Sequence, residues 1–295
     1  MLADLHSHTY FSDGFLSPAE LVARARSNRV DVLAITDHDT TEAFEHLGTL
    51  PEADSLTIMQ GVEISCLWDQ REIHVVGLGI DRHETTLKTL LTDQQALRLQ
   101  RARTMDMSLQ KAGVCGLMAY LETLPCNAVS RNHVAQFLID RGLARSKDHA
   151  FKNFLGSKGR FGAQAQWCEI ATAVNAIRCA GGIPILAHPN RYSVSNQKLR
   201  RLVEEFAAAK GEALEVSYSN LDPDKIAHMG ALCADHDLWA STGSDFHSPV
   251  NHWMDLGKFR QLPTLCASRA IWMHPRWSTL AKASSQAGKS ELTLA

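Results

Sequence analysis

The sequence is poor in the features that mark secreted, membrane and polyanion-coating proteins. Its 7 cysteines among 295 residues are odd in number, scattered and never spaced Cys-X-X-Cys, which argues against a disulfide framework and against a thiolate zinc site. A reducing cytoplasm suits them. No apolar run approaches the roughly 20 residues that span a bilayer, and no basic segment leading into an apolar one opens the chain, so neither membrane insertion nor secretion is expected. The formal net charge is only −2. No global field therefore draws the protein to nucleic acid, and any phosphate has to be held by a local site. A protein nucleophile is also missing from view, since there is no G-X-S-X-G and no evident Cys/His pair.

What is present is a large apolar fraction, 45%, and 14 histidines. Short apolar runs alternate with longer amphipathic ones: "LADL", "DVLAIT", "LTIMQGVEIS" and "REIHVVGLGI" read as strands, and "SPAELVARARSN" as a helix capped by Ser17 with Pro18 at its first position. The rhythm returns with "IPILAH", "ALEVSY" and "LWASTGSD" between helical segments, as expected of a parallel α/β sheet or barrel. It stops between roughly 93 and 166, where a charged helix from Gln94 to Ala112 and two shorter helices read as an inserted cap. The reading divides the chain into barrel (1–92), helical cap (93–166), barrel (167–283) and a polar tail (284–295).

The residues able to hold a metal fall at strand ends: His6 and His8, His38, Glu63, His188, Asp245 and His247. His74 is the exception, because it opens its run. In βα architectures that edge gathers ligands, so side chains remote in sequence converge there. His6 and His8 lie two apart, as do Asp245 and His247, so in extended backbone each pair points one way. Asp13 follows a bend that Gly14 permits. Imidazoles and carboxylates without thiolates suit manganese, iron or zinc, and so many ligands exceed the needs of one ion. Asp37 and Asp39, which flank His38, read as helix caps or supports for the site.

Together "DLHSHTYFSDG", "ITDHDT", "GVEIS", "IHVVGLGI", "LAHPNRY" and "GSDFH" resemble the polymerase and histidinol phosphatase (PHP) family of metal-dependent phosphoesterases. The resemblance implies a distorted (β/α)7 barrel and three divalent ions, manganese favoured over iron or zinc. Their ligands would be His6, His8, Asp13, His38, Glu63, His74, His188, Asp245 and His247. Glu63 is the expected bridging carboxylate, and Asp13, Glu63 and His38 the residues nearest the chemistry, in which water activated on the ions attacks phosphorus. "SRNHVAQFLIDRGLARS" and the final third resemble a bacterial branch of 5′-to-3′ exoribonucleases of the ribonuclease AM type and 3′,5′-nucleoside bisphosphate phosphatases. That implies short 5′-phosphorylated RNA or a nucleotide as partner, with no membrane and no obligate protein partner.

For the substrate side, Ser130 is a natural N-cap. Arg131 and His133, however, are cationic in a first helical turn, where the helix dipole disfavours them unless an anion sits there too. These three, with Lys158 and Arg160 of "GSKGRFG", are the candidate phosphate contacts, and Phe161 is a candidate stacking face. Arg98, Arg101 and Arg103 read as a solvated helix face.

Overall fold

The apolar runs become a ring of short, buried strands. The computed structural model describes residues 1–47, 56–156, 159–250 and 252–282. The expected tail and Lys158 lie outside them. Within them β1 (Ala3–Asp4), β2 (Val32–Ile35), β3 (Thr57–Trp68), β4 (Arg71–Leu78), β6 (Ile183–Leu186), β7 (Ala213–Tyr218) and β8 (Trp239–Gly243) pair in that order, and β5 (Cys168–Glu169) is appended to β3. The ends of the sheet meet: Leu5 N–H donates to the Thr242 carbonyl at 3.1 Å and Asp245 N–H to the His6 carbonyl at 2.8 Å. The distorted seven-stranded barrel is therefore observed.

One strand departs from the expected parallel rhythm. β4 runs antiparallel to both β3 and β6. The cause is the two-residue turn at Asp69 and Gln70, which both take positive φ, 47° and 59°, as the tight hairpin turn that matches strand twist requires. This reversal removes the anomaly of His74. The beginning of β4 lies at the rim toward which the other strands of the ring run.

Outside the ring, α1 (Pro18–Ser27) opens with the expected cap, strengthened by Glu20, whose carboxylate accepts the Ser17 N–H at 2.8 Å. α6 (Ile170–Cys179), α7 (Asn196–Ala208) and α8 (Pro223–Asp235) cover the sheet with leucine, valine and isoleucine. Burying one such side chain contributes about 1.5–3 kcal/mol. No helix among the described residues is long and apolar enough to cross a membrane.

α2 (Thr85–Lys111) starts nine residues before the predicted Gln94. Its first turns are rich in threonine, a poor helix former whose hydroxyls at Thr89 and Thr92 return to carbonyls four residues back, at 2.9 Å each, and Glu84 secures this start by accepting the Leu87 N–H at 2.8 Å. Leu87 and Leu91 join the barrel core, whereas Ala102, Met105 and Leu109 join a separate core with α3 (Leu117–Leu121), α4 (Arg131–Asp140) and α5 (Lys147–Ala150). A single helix thus belongs to both. The solvated face expected for it is corrected at Arg98, which is buried against Asp39 at 2.6 Å and stacks on Trp167 at 5.0 Å. Arg101 is bound to Glu72 at 3.1 Å, and only Arg103 is exposed.

Candidate metal centre

The rim of the barrel brings together all the residues read as ligands. His6 and His8 follow β1, His38 follows β2 and is bridged to Glu63 of β3, His188 follows β6, and Asp245 and His247 follow β8. Glu63 is at the centre: its carboxylate lies 3.2 Å from His6, 3.3 Å from His8, 2.9 Å from His38, 3.0 Å from His74 and 2.9 Å from His188. Asp245 lies 3.1 Å from His8 and 3.4 Å from His6, and Asp13 lies 3.2 Å from His247. Three sets of donor atoms are each confined within 4.8 Å: His6, His8, Glu63 and Asp245; His38, Glu63 and His74; and His8, Asp13, His38 and His247.

Local structure explains how these side chains are aimed. Gly14 closes the turn after Asp13, its N–H donating to the Thr9 carbonyl at 2.9 Å, and a Cβ there would stand 2.4 Å from the His8 carbonyl oxygen. Asp37 fixes the same turn by accepting from the Thr9 N–H at 2.7 Å and the Ser12 hydroxyl at 2.6 Å. Asp39 accepts the Ser65 N–H at 2.9 Å as well as Arg98. Both aspartates support the site and neither caps a helix. Asp39, His188 and Asp245 hold positive φ of 50°, 29° and 51°, the kind of strain that a surrounding network maintains at functional sites.

The electrostatics fit cations. Burial opposes charge on Glu63, but His38, His6 and His74 hold its carboxyl well below the usual range, and Asp245 is held down in the same sense by Arg191, His6 and His247. Burial also opposes protonation of His8 and His74, yet Asp245 and Glu63 raise the first to about 9, and Glu63 and Glu72 raise the second to about 10. These protons occupy a cluster of ligands, and cation binding would displace them. His6 Nε2, Asp13 Oδ1, His38 Nδ1 and Glu63 Oε2 are buried and accept or donate no hydrogen bond. A divalent ion is the partner such orphaned donor atoms suit.

Two polar residues at the rim escaped the sequence reading. Glu215 accepts from His6 Nδ1 at 3.2 Å and from the His188 N–H at 2.6 Å, which leaves His6 Nε2 facing the cluster. Its signal was a lone charge in "ALEVSY", a strand buried at every position. Arg191 forms an ion pair with Asp245 and lies over the Tyr218 ring.

On the cap side, Ser130 Oγ accepts the Asn132 N–H at 3.0 Å and His133 Nδ1 accepts the Ser130 N–H at 3.0 Å. His133 is thus a neutral capping acceptor, its pKa lowered chiefly by burial. Arg131 is a third exposed and reaches Glu72 at 3.2 Å. Arg160 is exposed beside Phe161, but Phe161 is buried against Phe154 and offers no open face.

The chain is similar to known proteins. Residues 4–157 match the PHP domain family. The chain is 42% identical to the 5′-3′ exoribonuclease Rnm of Escherichia coli over 95% of its own length and 96% of the relative's. It is 37% identical to the 3′,5′-nucleoside bisphosphate phosphatase of Chromobacterium violaceum, over 91% and 94%. A solved structure from Chromobacterium violaceum, described as an amidohydrolase with bound sulfate, superposes with a TM-score of 0.84 at 33% identity, covering 96% of this chain and 97% of that one.

Proposed function

The chain belongs to the PHP domain family, and from that premise we propose that it is a metal-dependent phosphoesterase of the cytoplasm acting on the 5′ end of short RNA. It releases nucleoside 5′-monophosphates one at a time, and it removes the 3′-phosphate of nucleoside 3′,5′-bisphosphates, which are a minimal version of the same end. The convergence of imidazole and carboxylate donors around Glu63 carries this reading. The names of relatives about 40% identical over most of the chain support the substrate class.

In this reading the three donor sets, with His188 beside Glu63, would hold three cations, manganese before iron or zinc, and Glu63 belongs to two of the sets. When bound, the cations offset charge on phosphate oxygens and acidify a water to serve as nucleophile. The chain's own residues do the rest. Asp13, His38 and His247 line the side of the cluster beneath the cap, where the leaving oxygen departs. Glu215 holds the His6 ring in one tautomer. Residues 93–166 form the cap, and its α4 start, Ser130, Arg131 and His133, with Lys158 and Arg160 of the following loop, receives the terminal 5′-phosphate. Arg131 is already oriented across the rim by Glu72.

A 5′-phosphorylated oligoribonucleotide incubated with the manganese-loaded protein tests the proposal. Stepwise appearance of mononucleotides from the 5′ end is expected. An intact oligomer alongside hydrolysed small phosphate esters would replace the reading by a phosphomonoesterase for another metabolite. Arg131→Ala should raise KM for the 5′-phosphorylated oligomer roughly 10- to 100-fold, the worth of a charge-assisted hydrogen bond, and leave kcat near wild type.

A further inference from the structure

The first turn of α4 reaches the ligands themselves. Asn132 donates its side-chain amide to Asp13 Oδ2 at 2.7 Å. The other oxygen, Oδ1, is buried, accepts no hydrogen bond, and faces His247 Nε2 at 3.2 Å and His38 Nε2 at 3.7 Å. One oxygen is therefore occupied by the cap and the other is free for the cluster. A carboxylate turns readily about its last bond, because that torsion is broad. An amide donor from a different structural unit fixes its plane.

We propose that Asn132 is a positioning residue for the cation held by His8, Asp13, His38 and His247. The cap supplies the hydrogen bond that orients a barrel ligand, so this cation binds at full strength only when α4 is seated on the rim. The inference rests on the metal-centre reading above. It also ties the end of the molecule that selects the substrate to the side of the cluster where the leaving group departs. Removing the amide should leave the helix intact, since its start is capped through the Asn132 backbone N–H by Ser130.

Titrating the metal-free protein with manganese, and counting equivalents by equilibrium dialysis, tests this. Asn132→Ala should lose about 10- to 100-fold in affinity at one equivalent, as supporting hydrogen bonds to metal ligands typically do, and keep the others unchanged. Asn132→Leu, which retains volume without a donor, should show the same single loss. In an Asp13→Ala background, Asn132→Ala should have no further effect. Wild-type affinity at every equivalent in both Asn132 variants would overturn the inference, as would a loss of equal size added to that of Asp13→Ala. If the wild-type protein bound no manganese, the metal-centre reading itself would fall; if it bound and the variants matched it, only the role of Asn132 would.

Discussion

At the scale of single residues, Glu63 has the most neighbours to satisfy. It is fully buried and flanked by His6, His8, His38, His74 and His188, so in the proposed reading it is the carboxylate that more than one cation would share. Asp13 occupies the periphery, and its loss should be tolerated by the fold. Asp13→Ala is expected to give an unfolding transition close to wild type and turnover reduced by at least about 100-fold; near-normal turnover would remove Asp13 from the centre. Glu215 acts at one remove. Glu215→Ala should lower manganese affinity or turnover roughly 10- to 100-fold, measurable by metal titration and by kcat on the same preparation. Most of the candidate ligands were legible in the sequence as polar residues at the ends of apolar runs, with His74, near the start of its strand, and Asp13, in a turn, as the exceptions. Glu215 was not, because it lies inside such a run, and Arg98 was not, because its partner Asp39 is remote in sequence and a helical arginine without a visible partner reads as solvated.

Among the elements, α4 couples local helix chemistry to the site. His133 accepts the Ser130 N–H through Nδ1, which only the neutral ring can do. Its folded pKa is lowered from 6.5, chiefly by burial, so the unfolded chain takes up the proton first. This contribution to stability is complete above about pH 6.5 and is lost as the pH falls toward the lower folded value. His133→Gln keeps an acceptor at the same capping position without a proton to gain. Protection of the first-turn amides of α4, corrected for the intrinsic fall of exchange rate with pH, should decrease in the wild type below pH 6.5 and should respond less in the variant; identical profiles would place the acid sensitivity elsewhere. β4 shows why sequence rhythm fell short. Apolar alternation marks a strand but carries no sign of its direction, and Asp69–Gln70 is not one of the glycine-containing pairs that announce a tight hairpin. The beginning of α2 was hidden by its threonines, poor helix formers whose preference is overridden by the cap at Glu84 and the burial of Leu87 and Leu91.

For the whole molecule, the barrel gathers carboxylates and imidazoles at one end, where cations would take the place of the protons now shared among them. Cations that bind the native state alone stabilise it by about 1.4 kcal/mol for each tenfold rise in free concentration above Kd at each site. Thermal unfolding should therefore move upward by several degrees on adding millimolar manganese and return on chelation, and Asp13→Ala should retain part of that shift. An unfolding temperature indifferent to manganese would mean that the cluster is held together without ions. The long helix α2 has a mechanical corollary. Its 27 residues, about 40 Å of continuous hydrogen-bonded coil, are built into barrel and cap alike, so the two units share a stiff beam with no hinge along it. A cap mounted in this way resists being lifted off like a lid. RNA should therefore enter by a free 5′ end and not under a raised cap, and a closed circle of RNA, lacking such an end, should pass by uncut.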